Sequence, residues 1–305
     1  MVPSRDTTSV SPVPTCDLVV STEAGLYCPA GDFYIDPWRP VERAVITHAH
    51  GDHATHGHRN YLASASGAGV LRARLGAISL QSLAYAETIA VKDARVSLHP
   101  AGHVLGSAQV RIEVEGHVCV VSGDYKLEHD STCASFEPVP CHTFITESTF
   151  GLPIYRWRPQ SEVFAEINQW WSDNAEQRRP SLLFAYAFGK AQRVLAGVDA
   201  SIGPIVCHGA LAPLSARGTP WMRRLGDHSD AFASGLMRVR GVRRQRAFDR
   251  GFVLSDHADW PALLDTIRET GASQVFCTHG HAEALARYVG GGVMRTAWEG
   301  EPTGD

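Results

Sequence analysis

The chain has 305 residues, 44% of them hydrophobic, and a formal charge of −4 at neutral pH. That length suits one large domain or two modest ones with a real core. No apolar run approaches the roughly 20 residues that span a bilayer, and the opening MVPSRDTTSVSPVPT lacks the apolar stretch of a secretory signal, so a soluble, cytoplasmic protein without a membrane partner is expected. The seven cysteines (16, 28, 119, 133, 141, 207, 277) are odd in number and never spaced C-x-x-C, which supports neither a disulfide framework nor a zinc ribbon. A net negative charge argues against indiscriminate coating of nucleic acid, but it says little about a local basic patch.

Residues 1–15 are polar and proline-dotted, and EGEPTGD at the other end reads as a solvated tail. From Asp17 to Thr149 short apolar runs alternate with Gly/Asp/His-rich loops, including the hairpin-like pair AQVRIEVEG and HVCVVSGD around Glu115 and Gly116. After Pro159 the rhythm becomes α/β: SEVFAEINQWWSDNA predicts a helix, SLLFAYAF a buried strand, GKAQRVLAGVDA a helix and GPIVCHG a strand. Residues 217–250 carry nine arginines against three aspartates, a local excess of six positive charges. Strand-like GFVLS, helix-like WPALLDTIRET, strand-like QVFCT and helix-like AEALARYV follow, with His257 and His279 each just after a strand.

Chemistry concentrates in VITHAHGDHATHG, where His48, His50, Asp52 and His53 form H-x-H-x-D-H directly after a β-type run. Alternate residues of extended backbone point the same way, so His48 and His50 can share one ion while the turn carries Asp52 and His53 to a second. His56 and His58 fall outside that pattern and are expected to be exposed or merely supporting. Further ligands are available at other strand ends. His103 in HPAGHVLGSAQ is flanked by glycines that allow close backbone approach, Asp124 ends HVCVVSGD where a carboxylate can bridge two ions, and His279 sits in FCTHGH.

H-x-H-x-D-H followed by His103 and Asp124 resembles the metallo-β-lactamase superfamily. The resemblance implies an α/β protein with an αββα sandwich and a dinuclear metal site. It assigns His48, His50 and His103 to one ion, Asp52, His53 and His279 to the other, Asp124 to both, and to Asp36 the orienting of ligands without binding metal. Three further stretches resemble the β-CASP nucleic-acid-processing branch: TFITESTFG, which places an acidic residue at Glu147; FAYAFGKAQRVL; and VLSDHADW, with its histidine at His257. The stretch GLYCPAGDFYIDPWRPVERAVITHAH is similar to the N-terminal signature of bacterial ligase-associated DNA exonucleases, and that similarity runs from Asp17 to about Ala297. Gly51, where many relatives have serine, and the arginine-rich stretch depart from it.

The expectation is therefore a metallo-β-lactamase-like domain in two parts, 1–155 and 249–305, with a β-CASP-like α/β cap inserted at 156–248. Its activity would be that of a two-metal DNA exonuclease acting on single-stranded DNA from the 5′ end in DNA repair, alongside a DNA ligase and a helicase. Zinc suits the ligand set and manganese is accepted by it. Asp52 belongs to the catalytic centre through its ion, while His257 supplies a proton to the leaving oxygen and Glu147 orients the His257 ring. Backbone phosphates are expected at Arg243, Arg244 and Arg246, and at Lys190 in a glycine-led helix start. Tyr155 and Trp157 offer either base stacking or buried aromatic packing. Alternatives are an RNA-processing nuclease of the same branch, a small-molecule metallo-hydrolase, and a non-catalytic subunit.

Overall fold

In the computed structural model, residues 18–207, 227–239 and 248–294 are described. Strands β1 (Val20–Ser21), β2 (Leu26–Cys28), β3 (Phe33–Ile35), β4 (Arg43–Val45), β5 (Asn60–Ser64) and β6 (Leu80–Leu83) form one sheet in chain order. Its first three strands are antiparallel and β3 to β6 run parallel. Parallel pairing of β5 with β6 needs a crossover, which helix α1 (Ala68–Leu75) provides. This helix interrupts the stretch that reads as strand-rich in sequence.

A second sheet has the order β16-β15-β11-β10-β9-β8-β7. Strands β7 (Thr88–Val91), β8 (Ala94–Pro100), β9 (Ala108–Val114) and β10 (His117–Val121) form an antiparallel meander. Val114 pairs with His117, so Glu115 and Gly116 form the two-residue turn expected of that hairpin. Strands β11 (Thr143–Glu147), β15 (Gln274–Thr278) and β16 (Gly292–Val293) add in parallel with β10.

Phe33, Ile35 and Val45 of the first sheet share one apolar cluster with Val96, Val110 and Phe276 of the second. The two sheets therefore pack face to face. Leu71 and Leu75 of α1 cover the outer face of the first sheet. Leu263 of α4 (Trp260–Glu269) and Leu285 of α5 (Ala282–Val289) cover the second, so the layers run helix, sheet, sheet, helix. Helix α4 starts where Asp259 accepts a hydrogen bond from the Ala262 amide at 3.1 Å, with Pro261 in its first turn.

A third, parallel sheet is made of β12 (Ser181–Phe184), β13 (Ser229–Ala233) and β14 (Arg250–Phe252). It packs with α2 (Gln160–Glu176) and α3 (Lys190–Gly197) around Val163, Ile167, Trp170, Val194 and Phe252. This unit takes its last strand from beyond residue 248, the cap boundary read from the sequence. Residues 203–207 form no strand, unlike the expectation for GPIVCHG, and the rest of that stretch lies outside the described residues.

Strand direction gathers the chemistry at one edge. Strands β8, β10, β11 and β15 all run the same way, and the loops that follow them carry His103, Asp124, Ser148 with Thr149, and His279. Ends of parallel strands are where open α/β sheets place their sites. Gly106 makes the close approach after β8 possible: its φ is +80°, and a Cβ there would lie 2.2 Å from Gly67 Cα.

Candidate metal centre

His48, His50, His103 and Asp124 present ligand atoms that all lie within 4.8 Å of one another. His50 Nδ1 is 2.9 Å from His48 Nε2 and 3.1 Å from His103 Nε2. Asp124 Oδ2 lies 3.5 Å from the former ring and 3.8 Å from the latter. Each ring is fixed from behind: His48 Nδ1 meets Thr47 Oγ1 at 3.1 Å, His50 Nε2 donates to the Phe188 carbonyl at 3.1 Å, and His103 Nδ1 donates to the Asp256 carbonyl at 2.9 Å. Such outer bonds select the tautomer whose other nitrogen carries a lone pair for a metal.

The second half of the loop converges on the same carboxylate. His53 Nε2 is buried without a hydrogen-bond partner, 3.3 Å from Asp124 Oδ2 and 3.8 Å from Asp52 Oδ2. The His279 ring stacks on His53 with centroids 5.3 Å apart. Asp52 and His279 are exposed at the rim, so this half is more open than the first. Two residues here hold backbone that side chains rarely adopt: φ is +44° at Asp36 and +57° at His279. The Asp36 carboxylate accepts from the Thr47 amide at 2.7 Å, Thr47 Oγ1 at 2.5 Å and His53 Nδ1 at 2.7 Å. It thus aims His53 Nε2 inward.

Electrostatics follow from this crowding. Burial, then the neighbouring His257, pushes the His103 pKa down to about 3, and burial drives His48 well below 6.5. Burial also opposes a charged His53, but Asp124, Asp52 and Asp36 outweigh it and raise its pKa well above 6.5. Burial disfavours the Asp124 carboxylate, yet His53 and His257 hold its pKa well below the usual range. The donor set fits a divalent ion. Zinc bound tetrahedrally at about 2.0–2.1 Å keeps its ligand nitrogens roughly 3.3 Å apart, near the spacings seen among His48, His50 and His103. A buried, unpartnered His53 Nε2 facing a carboxylate is the orphan such an ion would satisfy.

Beside this cluster, His257 Nδ1 lies 3.0 Å from Glu147 Oε2 and 4.0 Å from Asp124 Oδ2. Glu147 is buried at the end of β11 and accepts from the Tyr125 amide at 2.7 Å and from Thr149 Oγ1 at 2.6 Å. Burial raises its pKa, with His257 pulling the other way. Trp157 Nε1 donates to the His257 carbonyl at 2.9 Å, and its ring meets Phe150 edge-on at 4.8 Å. Tyr155 is buried in the same aromatic group, while Trp157 is half-buried.

Other sequence expectations fare differently. Lys190 does not reach solvent; it is fully buried, with Nζ 3.2 Å from Asp256 Oδ1, so an internal carboxylate occupies the place expected for a phosphate. Arg243, Arg244 and Arg246 lie outside the described residues. His56 is exposed, and His58 is buried between the Val41 amide and Thr55. Asp256, Arg193, Asp130 and the Phe188 carbonyl are not singled out by the sequence. FAYAFGKAQRVL contains Phe188 and Arg193 and VLSDHADW contains Asp256, so those two stretches mark the neighbourhood without naming the residues. No helix among the described residues is long and apolar enough to cross a membrane.

No family model matches the chain. It is similar to a protein named "Probable DNA ligase" from Opitutus terrae, 29% identical over 297 residues that cover 86% of this chain and 29% of that protein. A segment covering 39% of the chain is 30% identical to proteins named endoribonuclease YSH1 from Eremothecium gossypii and Saccharomyces cerevisiae, of which it covers 16% and 15%. The chain thus spans less than a third of each of these relatives. Among solved structures, a protein of unknown function from Enterococcus faecalis V583 matches with a TM-score of 0.51 and 12% identity over 86% of this chain and 80% of that one, a likeness of fold.

Proposed function

We propose that this protein is a metal-dependent nuclease of the metallo-β-lactamase type, with the third-sheet unit serving as a β-CASP-like cap over the site. The observation that carries this is Asp124 Oδ2, which stands 3.3–4.0 Å from ring nitrogens of His48, His53, His103 and His257. One carboxylate so placed belongs to two ligand sets and neighbours an imidazole. In this reading His48, His50, His103 and Asp124 hold one divalent ion, and Asp52, His53, His279 and Asp124 a second, zinc by preference and manganese as a substitute. Bound divalent ions would supply an activated water at neutral pH and neutralise charge on a phosphodiester.

The chain's own groups do the rest. Asp36 and the carbonyls of Phe188 and Asp256 keep ligand nitrogens aimed at the centre. Glu147 fixes the His257 ring through Nδ1, and in that orientation His257 hands a proton to the leaving oxygen. Trp157 is half-buried beside His257 and is placed to border a substrate strand.

For the substrate we favour single-stranded DNA, degraded from the 5′ end, in repair together with a ligase and a helicase. Similarity across most of the chain to a protein named as a probable DNA ligase supports this choice. RNA processing is the second reading, supported by the segment similar to the YSH1 endoribonucleases. The test is metal analysis of the purified protein, followed by time courses on matched DNA and RNA strands labelled at either end. Progressive shortening of DNA from one end, abolished by chelation, is expected. Cleavage of RNA alone would select the second reading, and a protein that binds no metal would sink both.

A further inference from the structure

Six ionisable side chains outside the ligand set form a connected network behind the site. Lys126, Lys190 and Arg193 are all at most 3% exposed and face Glu128, Asp130 and Asp256. A buried network of this kind is weak evidence for stability, because desolvation offsets most of the attraction. Its geometry has a different consequence. All three cations converge on one turn made of Ser255, Asp256 and His257. The Ser255 carbonyl accepts from Lys126 Nζ at 2.8 Å and from Arg193 NH1 at 2.9 Å. Asp256 Oδ1 lies 3.2 Å from Lys190 Nζ, and Arg193 Nε is held in turn by Asp130 Oδ2 at 2.7 Å.

The same turn touches the reacting centre twice. Its Asp256 carbonyl accepts from His103 Nδ1 at 2.9 Å, and its third residue is His257. Lys190 and Arg193 both belong to α3, and Phe188, two residues before that helix, supplies the carbonyl behind His50. The helix start can come this close only because Gly189 has a φ of +91°; a Cβ there would lie 2.3 Å from Val104 Cγ1 and 3.3 Å from Asp256 Oδ2. Thus the third-sheet unit reaches His50 through Phe188, just before α3, and α3 itself reaches His103 and His257 through the Asp256 turn.

We propose that Lys190 and Asp256 form a latch and act as positioning residues for the reaction: their buried ion pair seats the third-sheet unit on the metal centre and fixes His103 and His257. The proposal rests on reading His103 as a metal ligand and His257 as the proton donor. It assigns Lys190 to holding the centre together and leaves phosphate contacts to other residues. Asparagine at 256 keeps the carbonyl that orients His103, and methionine at 190 keeps most of the lysine volume. The double change therefore removes the attraction without leaving a lone buried charge.

The experiment uses the full chain as Lys190→Met, Asp256→Asn and the double variant. Zn²⁺ affinity is measured by competition with a chromophoric chelator, Co²⁺ absorption reports ligand geometry, and hydrogen exchange of residues 254–258 is followed in the metal-free protein. A latch predicts that the double variant keeps the wild-type far-ultraviolet dichroism but binds Zn²⁺ roughly 10- to 100-fold more weakly, as loss of outer-shell support does. Its Co²⁺ spectrum should shift, and residues 254–258 should exchange faster. Should Lys190→Met fail to fold because Asp256 is left alone, the double variant decides. Unchanged Zn²⁺ affinity and exchange in the double variant would overturn the latch, and so would a double variant that cannot fold, since the pair would then be a structural requirement. If the wild type binds neither ion, the metal reading fails by itself, and exchange at 254–258 alone supports or overturns the latch.

Discussion

Asp36 Oδ2 accepts a hydrogen bond from His53 Nδ1 at 2.7 Å, which turns the opposite nitrogen, Nε2, to within 3.3 Å of Asp124 Oδ2. The two carboxylates flank one imidazole, the first orienting it and the second facing its Nε2. Asp124→Asn keeps the volume and removes the charge that several rings face. Bound metal should fall below one equivalent and nuclease turnover by several orders of magnitude, with the fold intact by circular dichroism. Near-normal turnover with full metal content would remove Asp124 from the centre.

His257 and Glu147 should separate chemistry from metal binding. In the proposed reading the imidazole is the reacting group and the carboxylate, 3.0 Å from its Nδ1, is its support. His257→Ala should slow turnover by roughly 10²- to 10⁴-fold while substrate binding and metal content stay close to wild type. Glu147→Gln should fall between that variant and wild type, because an amide oxygen that keeps the Tyr125 amide turns its NH2 toward His257 Nδ1 and leaves that ring without its charged acceptor. Single-turnover rates with metal analysis on the same samples check both, and a loss of metal matching the loss of rate would refute the division of roles.

Acid should destabilise the metal-free protein through His103. Its folded pKa of about 3 lies below the unfolded value near 6.5, so between those limits the unfolded chain binds the extra proton and stability falls as pH falls. The slope is about 1.4 kcal/mol per pH unit for one such group. His48 acts in the same direction, whereas His53, with a raised pKa, adds stability below pH 6.5 that is lost as pH rises through its folded value. Urea unfolding of chelator-treated His103→Gln should show a flatter dependence than wild type between pH 4.5 and 6.5. Parallel curves would mean that His103 takes up a proton in the folded state as readily as in the unfolded one.

Gly106→Ala tests the backbone approach that brings the His103 loop against the first sheet. The new Cβ would meet Gly67 backbone at 2.2 Å, and neither partner has a side chain that can swing away. Left-handed φ and overpacking together should cost roughly 2–4 kcal/mol, read as a lower urea midpoint. A midpoint within error of wild type would show that the two loops part easily.

The candidate ligands are legible in the sequence because their spacing follows local geometry. Alternation places His48 and His50 together, and strand ends carry His103, Asp124 and His279. Helices α2, α3, α4 and α5 are readable from periodicity, whereas α1 is hidden in AGVLRARL, where an exposed Arg72 and a half-buried Arg74 alternate with buried Leu71 and Leu75 over only eight residues. What stays illegible depends on contacts distant in the chain. His50 meets the Phe188 carbonyl across 138 residues and His103 meets that of Asp256 across 153. Main-chain acceptors leave no trace in residue type. Lys190 misleads for a related reason, since a glycine-led helix start looks the same whether its anion is a phosphate or a carboxylate of the protein's own chain.

For a nucleic-acid substrate as proposed, backbone contacts would fall to residues other than the buried Lys190. Arg243, Arg244 and Arg246 belong to the stretch from 217 to 250 that carries nine arginines against three aspartates. Cations that track phosphates release condensed counterions, whereas cations on an unrelated solvated surface do not. Arg243→Ala combined with Arg244→Ala should weaken binding to all single-stranded sequences alike. It should also flatten the dependence of log affinity on log salt by about 0.7 for each phosphate no longer neutralised. The rate within the bound complex should be unchanged, since neither residue is required for the chemical step. Fluorescence anisotropy across a salt series, paired with single-turnover cleavage, distinguishes the cases. A reduced rate with an unchanged salt slope would place these arginines at the catalytic centre, and no change in either would assign them to the solvated surface.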